Sequence, residues 1–301
     1  MCARSVKTAG RRVDRRSAHN YTMGGAAPSR RKRRIPAKDF PMDAQTIEAA
    51  AQHLMAARTA RRPGARLPAP CRPADAEAGL AIQRRVGEML DLPIGGWKCS
   101  VPSPERKVVA APIFAPTIVS VAPCPIVPIA GKARVEPEIA FVLGRDLPAR
   151  ATPYDEADVR AAIGEVRLVL ELMGPRYADP EAVTFPELLA DSIANQGLFV
   201  GPVLSTAVGP PLDAFAIVID GADGTLITRE GRHPDGHPLR PLYWLANFLA
   251  AGGYGEGVAL KAGQIVTTGS YCGVVDVPLE TALVVRYGDL GTLDVQFSAA
   301  G

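Results

Sequence analysis

Val135-Glu136-Pro137-Glu138-Ile139-Ala140-Phe141-Val142-Leu143 is apolar enough for a core strand, yet it carries two acids two residues apart. Alternate side chains on a strand share a face, so Glu136 and Glu138 project side by side. Adjacent carboxylates repel, which is tolerable if both meet water or if a divalent cation sits between them. A third acid, Glu171, interrupts the apolar run Val166-Arg167-Leu168-Val169-Leu170-Glu171-Leu172-Met173, which reads as a buried strand. A glutamate there is costly unless compensated. Three carboxylates without paired Cys or His suit a hard ion, Mg²⁺ or Mn²⁺. Salt-bridged or edge-strand glutamates are the competing reading.

Around these two strands the chain is rich in strand signals and poor in βαβ alternation. Helices are predicted over 44–60 and 75–89, with Asp75 as an N-cap, and shorter ones over 154–163, 186–190 and 242–251. Strands are predicted over 97–101, 135–143, 166–173, 197–203, 264–268, 282–287 and 291–297. A hairpin over 214–229 turns at Ala222-Asp223-Gly224. The prolines at 112, 116, 123, 125 and 128 suit strand edges and turns. The pattern predicts an α+β fold with a mixed, largely antiparallel sheet. Its expected parts are a basic, disordered extension (1–41), a helical N-terminal unit (42–92) and a metal-binding catalytic domain (93–301).

Charge divides the chain at Met42. Residues 1–41 hold 12 of the 34 Lys+Arg and 2 of the 31 Asp+Glu, so a +10 head precedes a −7 body. Three readings of the head stand: an upstream extension, a functional basic arm, and a targeting segment. No apolar run reaches the roughly 20 residues of a membrane span. Five scattered cysteines with no Cys-x-x-Cys pair indicate neither a disulfide framework nor a thiolate zinc site. A reducing, cytoplasmic setting is expected.

Four segments carry a family resemblance. They are Glu136-Pro137-Glu138-Ile139-Ala140-Phe141-Val142-Leu143-Gly144-Arg145-Asp146, Leu170-Glu171-Leu172-Met173-Gly174-Pro175-Arg176, Gly236-His237-Pro238-Leu239 with Trp244-Leu245-Ala246-Asn247, and Leu260 to Gly269. In this order they resemble the 2-keto-4-pentenoate hydratase and 4-oxalocrotonate decarboxylase family of the fumarylacetoacetate hydrolase superfamily. The resemblance implies a β-sheet roll with flanking helices, homo-oligomers and a place in aromatic catabolism. It implies Glu136, Glu138 and Glu171 as ligands of Mg²⁺ or Mn²⁺, and Lys98 of Gly96-Trp97-Lys98 as the catalytic proton carrier; a lysine near a dication in a dry pocket can have its pKa lowered, and the alternative for Lys98 is a surface lysine. Asn195 and Gln196 are expected to offer amides to substrate, or else form a plain polar loop. Thr268, Gly269 and Ser270 are expected to hold its carboxylate, or else form an ordinary glycine turn. The chain departs from the family over Val108 to Phe114, where an acidic residue is common and here is absent.

The expected activity is metal-dependent addition of water to a short 2-hydroxy-dienoate, or its 2-oxo tautomer, giving a 4-hydroxy-2-oxo acid. Decarboxylation of a 2-oxo-dioate would use the same electron sink. Acylpyruvate cleavage ranks third, because only His19 and His53 precede the carboxylate pair. From a different class, nucleic-acid binding by the head is disfavoured by the acidic body and by the lack of aromatics beyond Tyr21 and Phe40. His233 and His237 have a zinc-like spacing, but Pro234 and Gly236 forbid the helix that would align them. His237 is expected to orient the following helix. Cys272 is expected to be a small pocket residue rather than a nucleophile.

Overall fold

The computed structural model describes residues 42–204 and 211–300; the expectations for the basic head lie outside the described residues. Two helices come first, α1 (Ala44–Thr59) and α2 (Ala76–Leu90), and the strands β1 (Ile94–Cys99), β2 (Ala110–Phe114), β3 (Ile118–Val119), β4 (Cys124–Ile126) and β5 (Lys132–Leu143) follow. Next are α3 (Glu156–Arg160), β6 (Ile163–Met173), α4 (Phe185–Ala190), β7 (Asn195–Val203), β8 (Ala214–Gly221) and β9 (Gly224–Arg232). The last elements are α5 (Leu239–Ala250), β10 (Ile265–Thr267), β11 (Val275–Pro278), β12 (Ala282–Tyr287) and β13 (Thr292–Ala299).

An eight-stranded sheet runs β2-β1-β10-β5-β6-β7-β3, with β11 also paired to β5, and a five-stranded sheet runs β4-β13-β12-β8-β9. Parallel pairing occurs at β1/β10, β13/β4 and β3/β7, and the remaining ladders are antiparallel. The mixed, largely antiparallel expectation therefore holds. In the larger sheet β2 approaches β7, so the sheet curls toward closure. Its inner face carries Ile113, Ala140, Val169, Leu198 and Ile265, while Ile139, Phe141, Leu168, Leu170 and Phe199 belong to the larger core on the opposite face.

The N-terminal helices begin as the sequence dictates: Asp43 accepts the Thr46 N–H at 2.7 Å and Asp75 the Ala78 N–H at 2.9 Å. Their apolar stripes meet Tyr177 and Ala190, so they share a core with the chain around α4. Buried Gln83 of α2 reinforces that contact by donating to the Ala110 and Leu189 carbonyls.

Two expectations needed correction. The helix over 154–163 contracts to α3, because Asn247 pairs with both the N–H and the carbonyl of Tyr154, and Ile163 is drawn into the sheet opposite Leu143. Strand β11 was missed; its Val-Asp-Val alternation is too short to stand out, and pairing with β5 makes it a strand.

Beyond β6, Arg176 and Asp191 form a buried pair at 2.5 Å, with Asp191 fully enclosed. The guanidinium also donates to the carbonyls of Gly174, Asp191 and Asn195. Asp191→Asn would strand the arginine charge, and breaking such a pair typically costs about 3–5 kcal/mol. Urea unfolding should show a lower midpoint with an unchanged slope; an unchanged midpoint would refute this role.

Candidate active site

Neighbouring strands of the larger sheet bring the predicted residues together. Lys98 pairs with Thr267 across β1/β10, Thr267 with Ala140 across β10/β5, and Glu136 with Glu171 across β5/β6. Gly96 permits the close approach of β1 to β10, since a Cβ there would collide with the Ile265 carbonyl. Carboxylate oxygens of Glu136, Glu138 and Glu171 lie within 4.8 Å of one another. Lys98 Nζ sits 2.6 Å from Glu171 Oε1. Lys98, Glu138 and Glu171 are buried, which removes the surface-lysine and solvent-edge alternatives.

Each group is held from a distant part of the chain. The Thr267 hydroxyl and the Gly269 N–H, the latter at 2.9 Å, both donate to Glu138 Oε2. Asn195 Nδ2 donates to Glu171 Oε1 at 2.9 Å, and Lys98 Nζ to the Ile193 carbonyl at 3.2 Å. That carbonyl belongs to an unusual turn: Ser192, Ile193 and Ala194 all have left-handed φ, at 55°, 52° and 60°. Three consecutive non-glycine residues in this region store strain, and such strain concentrates at functional sites.

Not every expected binding residue reaches the carboxylates. A bulge pairs Leu172 with Gly197 but Met173 with Asn195, and it separates the two amides. Asn195 turns to Glu171, whereas Gln196 is spent on the backbone of Val127 and Met173. The Thr268 hydroxyl is tied to the Ile139 carbonyl and the Ser270 hydroxyl to the Gly273 carbonyl. His237 accepts the Leu239 N–H at the start of α5, as expected of a helix-orienting residue. His53 bonds the Ala65 carbonyl. Burial pushes the Cys272 thiol up to about 11, which disfavours a nucleophilic thiolate.

The contacts of Thr267 and His233 were missed. Only the pairing of β10 with β5 reveals the Thr267 hydroxyl as a partner of Glu138. His233 is buried; its Nδ1 accepts the Asp235 N–H, and its Nε2, without a hydrogen-bond partner, lies beside Gly269. Asp235 in turn holds Ser100 Oγ and the Val101 N–H just beyond β1. No local pattern distinguishes these residues from an ordinary Pro-Asp-Gly turn.

Burial, then repulsion from Glu171, lifts the Glu136 carboxyl to about 7, and burial with repulsion from Glu171 and Glu136 lifts Glu138 to about 8. Burial alone would lower Lys98, but Glu171, Glu136 and Glu138 together outweigh it and raise its pKa. The lowering expected of a lysine beside a dication is thus opposed by the three carboxylates in the cation-free protein. For the glutamates, a folded pKa above the unfolded value of 4.5 means stability that is full below that value and lost as pH rises through about 7 and 8. Cation-free protein should therefore melt several degrees lower near about pH 8 than near about pH 5. Added Mg²⁺ should raise the melting temperature more at the higher pH, where the ligands are deprotonated. Equal melting temperatures at both pH values, with or without Mg²⁺, would contradict this.

The donor set fits a divalent cation. It is all oxygen and crowded with acid, and buried Glu171 Oε2 lacks a hydrogen-bond partner. Lys98 supplies only one positive charge against three carboxylates.

No family model matches the chain. It is 30% identical to a 2-keto-4-pentenoate hydratase of Paraburkholderia phymatum over 85% of this chain and 99% of that one. It is 28% identical to a 2-keto-4-pentenoate hydratase of Burkholderia vietnamiensis with the same coverage of both chains. Among solved structures, the 4-oxalocrotonate decarboxylase of Pseudomonas putida G7, in complex with magnesium and adipate, superposes with a TM-score of 0.67 at 20% identity, covering 85% of this chain and 98% of that one. Among the described residues, no helix is long and apolar enough to cross a membrane. The decarboxylase shares this fold, and with 30% identity along nearly the whole length of the Paraburkholderia phymatum hydratase the chain belongs to the 2-keto-4-pentenoate hydratase family.

Proposed function

We propose that the protein is a metal-dependent hydratase that adds water to a short 2-hydroxy-2,4-dienoate, in its 2-oxo tautomer, to give a 4-hydroxy-2-oxo acid. The observation that carries this reading is the buried contact of Lys98 with Glu171 inside the three-carboxylate cluster. Glu136, Glu138 and Glu171 would hold Mg²⁺ or Mn²⁺. A cation there supplies Lewis-acid polarisation of the 2-oxo group, which makes the distal alkene carbon electrophilic.

The chain's own residues do the rest. The Thr267 hydroxyl and the Gly269 N–H fix one oxygen of Glu138, and Asn195 fixes one of Glu171, so the acids enter the reaction already oriented. Lys98 holds a proton at Nζ, anchored by Glu171 and the Ile193 carbonyl. It would deliver that proton to carbon as the dienol becomes the 2-oxo-enoate, and recover one from the enol hydroxyl. Water oxygen then bonds to the carbon distal to the carbonyl, and its proton ends on the carbon next to the carbonyl. Gln196 has no place in this scheme, because its amide is already spent.

Mass analysis of the product of 2-hydroxypenta-2,4-dienoate with Mg²⁺ tests the reaction: hydration adds one water. Loss of carbon dioxide from a 2-oxo-dioate, with no hydration of the dienoate, would instead assign the decarboxylase activity.

A further inference from the structure

A separate cavity of about 180 Å³ is lined by Arg58, Arg61, Arg62 and Arg176, with apolar wall from Val127 and Ile129. None of Lys98, Glu136, Glu138 and Glu171 lines it. Four arginines around one small space repel each other unless anions compensate them. Compensation within the protein is partial. Arg58 and Arg176 share the single carboxylate of Asp191, which holds Arg176 at 2.5 Å and Arg58 only at 3.8 Å. Arg58 otherwise donates to the Ser192 hydroxyl at 3.3 Å, and its buried Nε has no hydrogen-bond partner. Burial and the neighbouring Arg176 pull the Arg58 guanidinium down to about 9. Arg61 and Arg62 are exposed at the mouth and make no ion pair among the described residues. Arg61 is moreover left-handed at φ 49°, an uncommon conformation for a side chain with a Cβ.

Guanidinium groups bind carboxylates through two parallel hydrogen bonds, and apolar walls favour a ligand with a hydrocarbon body over a bare oxyanion. We infer that this cavity is a second, metal-independent binding site for a small organic carboxylate. It abuts the left-handed turn at 192–194, since Arg58 bonds Ser192 while the Ile193 carbonyl holds Lys98. The site does not depend on the proposed reaction, because none of its groups belongs to the carboxylate cluster.

Calorimetric titration of the full chain with succinate tests it, at constant ionic strength and after metal removal on a chelating resin. Saturable binding is expected. The double variant Arg61→Gly/Arg62→Ala should weaken it by roughly tenfold or more, the loss expected from removing charge-assisted hydrogen bonds. Both residues are exposed and Gly accepts the φ of Arg61, so the variant should fold and keep wild-type turnover. Glu138→Gln should leave succinate binding intact. No saturable binding, binding untouched by the double variant, loss in Glu138→Gln, or phosphate binding as tightly as succinate would each overturn the inference.

Discussion

Lys98→Met should lower kcat for dienoate hydration by roughly 10²- to 10⁴-fold, the usual contribution of a positioned general acid–base group. Methionine keeps most of the side-chain volume on β1, so the sheet around Gly96 and Thr267 should persist. The informative second measurement is cation affinity. In the wild type the Lys98 ammonium already compensates Glu171 at 2.6 Å, and it competes electrostatically with any cation held there. Its removal should leave Mg²⁺ binding intact or tighten it while turnover collapses. A merely structural lysine would lose both together, and turnover within tenfold of wild type would remove Lys98 from the mechanism.

Glu138→Gln should weaken divalent-cation binding by roughly 100-fold or more, and turnover at limiting cation should fall in proportion. The substitution is nearly isosteric, and the Thr267 hydroxyl and Gly269 N–H can still donate to the amide oxygen. What disappears is one negative charge and one strong oxygen donor. Activity should therefore recover partly as Mg²⁺ is raised. Wild-type turnover at the same low Mg²⁺ concentration would show that Glu138 is not a ligand.

Much of this arrangement is legible in the sequence. The two-residue spacing of Glu136 and Glu138 on an apolar strand, and the isolated Glu171 on another, suited a shared cation site, with salt-bridged or edge-strand glutamates as the competing reading; β5 and β6 pair so that Glu136 lies opposite Glu171. Strand identity was readable because it rests on alternation among near neighbours. The helix over 154–163 failed for the opposite reason: Asn247, 93 positions away, captures the Tyr154 backbone. Gln196 failed because a bulge, rather than its residue type, decides where its amide goes.

The sequence alone pointed to the fold class through local spacing and residue type, and through its motifs to the family, whose resemblance singled out the three carboxylates and the lysine. Only the tertiary structure decided how those groups are held and charged. Thr267 meets Glu138 across 129 positions, Lys98 meets the Ile193 carbonyl across 95, and the direction of the Lys98 pKa follows from three acids brought in by two other strands. Such contacts arise from strand register and curvature, and no window of sequence short enough to read as a pattern contains both partners.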